Sequence, residues 1–259
     1  MTEPDWDGAR YAELNALQRW VAGRSLHAVH LRGDERVLDV GCGDGLLTAE
    51  LADRLPGGRA VGVDPSPRMI AVAAGRVPPG GRLSFAVESV QQMTFTGAFD
   101  LVVSFNALHW VADHVLALER IRAALVPGGA ALLQLVCAGP RESVEQTAMA
   151  VARDHRWGNA FDGFPEPFHH PDPDVFAAQA EAAGLARERL QVDDLVWDFG
   201  SRQGFLDWFR VGSSDWLSRL PDDGSRAAFL AAVGDRYAAV AGSPHLFRFL
   251  QLTASFRAR

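Results

Sequence analysis

Ten residues constrain this chain more than any others: Arg36-Val37-Leu38-Asp39-Val40-Gly41-Cys42-Gly43-Asp44-Gly45. Val37, Leu38 and Val40 make a short apolar run with β-branched members, the pattern of a parallel strand buried on both faces. Three glycines then alternate through a turn, and Leu46 to Leu51 continues as a helix. Glycines at a strand-to-helix turn let backbone N–H groups approach a ligand with no Cβ between. The helix that follows aims its positive N-terminal end into the same turn. A dinucleotide fingerprint needs G-x-G-x-x-G, but Leu46 stands where its third glycine would be. Asp39, just ahead of the turn, is unsuited to a pyrophosphate and suited to a cationic group. A plain tight turn that binds nothing remains open from these residues alone.

The rest of the chain repeats the alternation. Residues from Trp6 to about Val29 space Tyr11, Leu14, Leu17 and Val21 as a helix. Leu46–Leu55 is a helix stopped by Pro56-Gly57-Gly58, and Arg59–Asp64 is a second strand ending on an acid. That acid lies about twenty residues past the turn, the separation at which a carboxylate reaches two ribose hydroxyls. Ser66 can cap the next helix with Pro67 at its first position. Met69 on that helix suits either an adenine contact or the core. Arg82–Val87 and Phe99–Phe105 are further strands, the second followed by the loop Asn106-Ala107-Leu108-His109-Trp110-Val111. A helix over Val115–Leu125, a turn at Val126-Pro127-Gly128-Gly129 and a strand over Ala130–Val136 complete five strand–turn–helix repeats. Such repeats build an α/β fold with a doubly wound parallel sheet, whose ligands lie beyond the carboxyl ends of its strands.

The second half changes character. Arg141–His155 reads as a helix, and Trp157–Pro173 as a loop carrying Phe161, Phe164 and Phe168. Asp174–Ala183 is a helix, Leu185–Trp197 a strand, Ser201–Val211 and Ser225–Val240 amphipathic helices, and His245–Phe256 a last strand or hairpin. The expected organisation is a cofactor-binding core with a cap helix over 1–140, a lid insertion over 141–171 and a core helix and strand over 172–200. A second helical lid insertion over 201–242 and a core strand over 243–259 follow. The phenylalanines fit a lid lining an apolar pocket or a plug filling it.

Val37–Gly45 resembles the first motif of class I S-adenosylmethionine-dependent methyltransferases, and Gly62-Val63-Asp64-Pro65-Ser66 the second. Phe99–Ser104 with Asn106-Ala107-Leu108-His109-Trp110 resembles the fourth, and Leu125–Gly129 the turn before strand five. The Leu-His-Trp loop, with Tyr11-x-x-x-Asn15-x-x-Gln18, is similar to the trans-aconitate and juvenile hormone acid methyltransferase group, which methylates carboxylates of small molecules. The resemblance implies a Rossmann-like, mostly parallel seven-stranded sheet with a helical lid. It implies S-adenosylmethionine as cofactor, its methionine end held by Asp39, Gly41, Gly43 and Gly45, and its ribose by Asp64 in the Asp64-Pro65-Ser66 segment. The loop Glu88-Ser89-Val90 would cup the adenine. This sequence departs from the family there, with Ser89 at the usual aspartate and Glu88 one place earlier. Asn106 would lie near the cofactor amine. Tyr11, Gln18 and Trp110 would meet the substrate, Gln18 and Trp110 through its carboxylate.

The implied reaction is in-line methyl transfer to a carboxylate, which is already ionised at neutral pH and needs no base. An amine or phenol of a natural product would need one, and His109 is the candidate catalytic residue. A loop-packing role for His109 remains open. From other classes, a nicotinamide-dependent oxidoreductase and a non-catalytic cofactor-binding module stay as alternatives. The net charge of -7 is interspersed along the chain, which argues against nucleic acid or an anionic membrane as partner. His155, His169 and His170 lack a metal-ligand pattern, so no metal is expected. Cys42 and Cys137 fall in or beside core strands, as buried thiols of a cytoplasmic protein would, although Cys42 in the turn is also a conceivable nucleophile.

Overall fold

Residues 16–26 and 29–259 are described by the computed structural model of the protein. β1 (Arg36–Val40) is the strand ahead of the glycine turn, and Val37, Leu38 and Val40 are fully buried in it. It pairs in parallel with β2 (Arg59–Asp64) on one side and β4 (Phe99–Phe105) on the other. β3 (Leu83–Val87) extends the sheet in parallel beyond β2, and β5 (Leu125–Val136) does so beyond β4. With β6 (Leu185–Asp198) and β7 (Leu246–Ala258) the order is β3-β2-β1-β4-β5-β7-β6. β7 runs antiparallel to β5, from Arg257 opposite Ala130 to Gln251 opposite Val136. Strand order reverses between β1 and β4, the place where open α/β sheets form their ligand crevice.

Alternation along the strands decides what each face does. Val37 of β1 and Leu101, Val103 and Phe105 of β4 share a core with Leu26 of α1 (Ala16–Leu26) and Leu51 and Leu55 in and after α2 (Leu46–Asp53). α3 (Pro67–Ala74) opens as expected: Ser66 Oγ accepts from Met69 N at 3.2 Å, and Pro67 occupies the first turn. α4 (His114–Ala124) is capped by Asp113 and packs on α6 (Pro173–Ala182), with the His114 ring edge-on to Phe176.

Two expectations are corrected. No helix connects β3 to β4, so that unit is strand–loop–strand rather than a full repeat. The turn expected at Val126–Gly129 is a bulge inside β5, between the pairs Phe99–Leu125 and Leu101–Ala130. Gly128, at φ 74, supplies the conformation that other residues adopt only at a cost.

The chain divides into two compact units. The first takes the chain up to Ala138, His170–Asp193 and Gln251–Arg259, and the second takes Gly139–His169 and Asp194–Leu250. The second is helical and aromatic. α5 (Val144–Ala152) opens on a capping box between Ser143 and Gln146, so the helix expected from Arg141 starts three residues later. α7 (Arg202–Gly212), a short α8 (Ser214–Leu217) and α9 (Asp223–Ala241) follow, with α9 packed on α5 and α7. Phe164 and Phe168 pack on the buried Trp216, and Phe161 on Phe229; Phe168 is buried in this unit's core, while Phe161 and Phe164 are half-buried and line a cavity within it. Among the described residues no helix is long and apolar enough to cross a membrane.

Candidate active site

The turn after β1 is fixed from three directions. Gly41 N and Cys42 N both donate to Val63 O, at 2.8 and 3.0 Å. Gly43 N donates to Asp64 Oδ2 at 2.9 Å, and Gly45 N to Cys42 O at 3.0 Å. Gly41, Gly43 and Gly45 all have positive φ, at 75°, 54° and 76°. Space makes a second demand at Gly41, where an added Cβ would sit 2.1 Å from Ala107 Cβ. Only glycine lets the turn after β1 come this close to the loop after β4.

Asp39 lies on β1 opposite Gly62 of β2 and is only 2% exposed. Its carboxyl accepts a 2.6 Å hydrogen bond from Thr48 Oγ1 in the first turn of α2. Burial pushes its pKa up to about 7; the Thr48 bond opposes this, and the charge of Asp64 adds to it. Asp64 ends β2 at 9% exposure. Its Oδ1 accepts from Ser66 N and its Oδ2 from Gly43 N, both at 2.9 Å. Burial raises its pKa while these two N–H groups hold it down. Each oxygen keeps a second lone pair, so the carboxylate can brace the turn and still accept from a ligand hydroxyl. The Cys42 thiol is pushed well up by burial and by the neighbouring Asp39 and Asp64, which disfavours its thiolate.

A cleft at the switch point is lined by Asp39, Gly41, Gly43, Asp44, Asn106 and Arg19, among others. Asn106 is the one non-glycine residue with positive φ among those described, at 55°, and its N–H donates to Gln134 O at 2.8 Å. Asparagine tolerates that conformation better than most residues. Arg19, on α1, was missed by sequence reasoning. The signal was present in the sequence: it follows Gln18 and comes four positions after Asn15.

The remaining sequence-predicted residues are placed as follows. Glu88 N donates to Asp64 O at 3.1 Å, which brings the loop after β3 beside the end of β2. Ser89 and Val90 are buried there, Glu88 is partly exposed, and Met69 is buried on α3. Pro65 links Asp64 to the capping Ser66. His109 and Trp110 form a short 3₁₀ turn after β4, with ring centroids 5.2 Å apart. His109 is 5% exposed, its Nδ1 has no hydrogen-bond partner, and the His170 ring lies 6.0 Å away. Burial, then the positive potential of His170 and His114, holds its pKa well below the ordinary histidine value. Tyr11 lies outside the described residues, as does the side chain of Gln18.

These residues fit S-adenosylmethionine. Turn N–H groups, buried acids and one guanidinium suit an amino-acid zwitterion beside a sulfonium. A carboxylate with spare lone pairs suits a ribose. Residues 37–129 match the family described as a methyltransferase domain. The chain is 33% identical over 245 residues to a trans-aconitate 2-methyltransferase of Methylobacterium radiotolerans, covering 88% of this chain and 87% of that one. It is 32% identical over 214 residues to a Streptomyces avermitilis protein of the same name, covering 76% and 78%. Among solved structures, YcgJ of Bacillus subtilis superposes with a TM-score of 0.65 at 18% identity, over 92% of this chain and 97% of that one, a likeness of fold. The chain belongs to the trans-aconitate methyltransferase family within the class I S-adenosylmethionine-dependent methyltransferases, with S-adenosylmethionine as its cofactor.

Proposed function

We propose that this enzyme methylates a carboxylate oxygen of a small organic acid. The observation that carries this is His109. It is the candidate base on the loop after β4, and burial makes it a poor proton acceptor at neutral pH. A phenol or ammonium substrate must lose a proton to become a nucleophile; a carboxylate has lost it already. The trans-aconitate 2-methyltransferases among the relatives support the same substrate class.

In this reading Asp39, Gly41, Gly43 and Gly45 hold the methionine end of the cofactor, with Arg19 as partner for its carboxylate. Asp64 takes the ribose. Pro65, Ser66, Met69 and Glu88–Val90 shape the adenine side, and Asn106 meets the amine. Tyr11, Gln18 and Trp110 orient the acid, Gln18 and Trp110 as hydrogen-bond donors. The bound cofactor supplies an activated methyl group on a sulfonium. The protein supplies alignment, exclusion of water and a fixed electrostatic environment. The insertions 141–171 and 201–242 are the proposed source of selectivity among acids. Two buried thiols, Cys42 and Cys137, suit the reducing cytoplasm we assign to it.

A panel of di- and tricarboxylic acids, phenols and amines, read by the mass of one added methyl, tests this. We expect product from the acids alone and a kcat that is flat between pH 6 and 8.5. His109→Gln should lower kcat on acids by less than tenfold. Turnover confined to amines or phenols, abolished by His109→Gln, would give His109 the base role and discard the carboxylate reading.

A further inference from the structure

We propose that Arg76 is a positioning residue for the cofactor turn: its guanidinium clamps Asp44 by carbonyl and carboxylate together and sets the turn in its ligand-receiving shape. The proposal rests on the reading of the Gly41–Gly45 turn as the cofactor seat.

Arg76 follows the C-cap of α3, and its N–H donates to Ala73 O at 2.9 Å, so the last turn of that helix fixes its backbone. Its Nε donates to Asp44 O at 2.7 Å and its Nη2 to Asp44 Oδ2 at 2.8 Å. The other carboxylate oxygen, Oδ1, accepts from Leu46 N at 3.2 Å, at the entry to α2. Asp44 is buried, and Arg76 is about two-thirds buried.

Asp44 sits between Gly43 and Gly45, both at positive φ. Glycines lose the most backbone entropy on ordering, so this stretch depends most on the bonds that hold it. α3 braces it at both ends. Ahead of the helix, Asp64 holds Gly43 N and Ser66 N; behind it, Arg76 holds Asp44. A turn fixed before the ligand arrives spares binding the cost of ordering it. Loss of the guanidinium frees the Asp44 carbonyl and leaves a buried carboxylate unbalanced beside the cleft that Asp44 lines. A lysine does not replace it, because a point-charge ammonium lacks the planar fork that meets two oxygens at fixed angles.

The experiment titrates the full chain and its Arg76→Gln, Arg76→Lys and Arg76→Gln/Asp44→Ala variants calorimetrically with S-adenosylhomocysteine and with S-adenosylmethionine. Arg76→Gln should weaken both ligands about tenfold, by the same factor for the neutral thioether as for the sulfonium. KM for S-adenosylmethionine should rise in step while kcat at saturation falls less than threefold. Arg76→Lys should regain no more than a third of the loss, and the double variant, which also loses the Asp44 Oδ1 bond to Leu46 N, should bind no tighter than Arg76→Gln. If Arg76→Gln does not fold, Arg76→Lys carries the test with an expected loss of at least threefold. A folded Arg76→Gln that binds within twofold of the parent overturns the clamp, as does full rescue by lysine, which would make the effect one of charge alone. A parent chain that binds neither ligand overturns the cofactor seat, and the clamp with it.

Discussion

Between pH 4 and 7 Asp39 keeps its proton in the folded chain, whereas an unfolded aspartate has lost it. The folded-state pKa of about 7 stands above the unfolded value, because burial penalises the anion. The protonated form is therefore the one that folding favours. Its contribution to stability is fully present below about pH 4 and is lost as pH rises toward 7, by on the order of 4 kcal/mol across the window. Asp39→Asn is neutral at every pH and lacks this slope. Thermal melts of both proteins from pH 4 to 8 should show the variant gaining on the parent as pH rises; a constant difference would refute the burial account. Asp39, Asp64 and Gly41 were legible in the sequence because their jobs are local: a strand end and a tight turn are short-range patterns. Arg19 was not, because its place in the cleft depends on how α1 meets the sheet. The burial of His109 was also illegible, since packing around the loop after β4 sets it.

At the scale of elements, Arg36 and Asp100 show how two parallel strands are held in register. Arg36 N and Nε donate to Asp100 Oδ2 at 2.9 and 3.0 Å, and Nη2 donates to Oδ1 at 3.0 Å. The first residue of β1 is thus tied to the second of β4. The side-chain bond from Arg36 depresses the Asp100 pKa, so this contribution is present above the unfolded value and fades as pH falls below it. Both side chains are about a third exposed, so solvent screens the pair. Asp100→Ala should cost about 1–2 kcal/mol in urea unfolding at pH 7, much of it from the Arg36 N–H left without its acceptor. A loss below about 0.3 kcal/mol would mean that water replaces the carboxylate freely. Strands were easy to read here because a sheet covered on both faces leaves continuous apolar runs. The β5 bulge was harder: Pro127-Gly128-Gly129 carries the same residues that end a strand elsewhere, and only the pairing with β4 distinguishes the two.

For the whole molecule, the cleft proposed as the cofactor seat lies within the first compact unit, between the turn after β1 and the loop after β4. A ligand that binds only the folded chain stabilises it by mass action. S-adenosylhomocysteine at a hundred times its Kd should add about 2.7 kcal/mol and raise the melting temperature accordingly. An unchanged melting temperature at that concentration would contradict binding to the folded state alone.

β7 follows β6 in the chain yet lies between β5 and β6 in the sheet. During synthesis β6 therefore leaves the ribosome before the strand that will join it to the rest of the sheet exists. Until β7 is made, β5 and β6 each present a bare edge to water, the kind of surface that recruits foreign strands. The charged side chains Arg187, Glu188, Arg189, Asp193 and Asp194 along β6 are suited to guarding that interval.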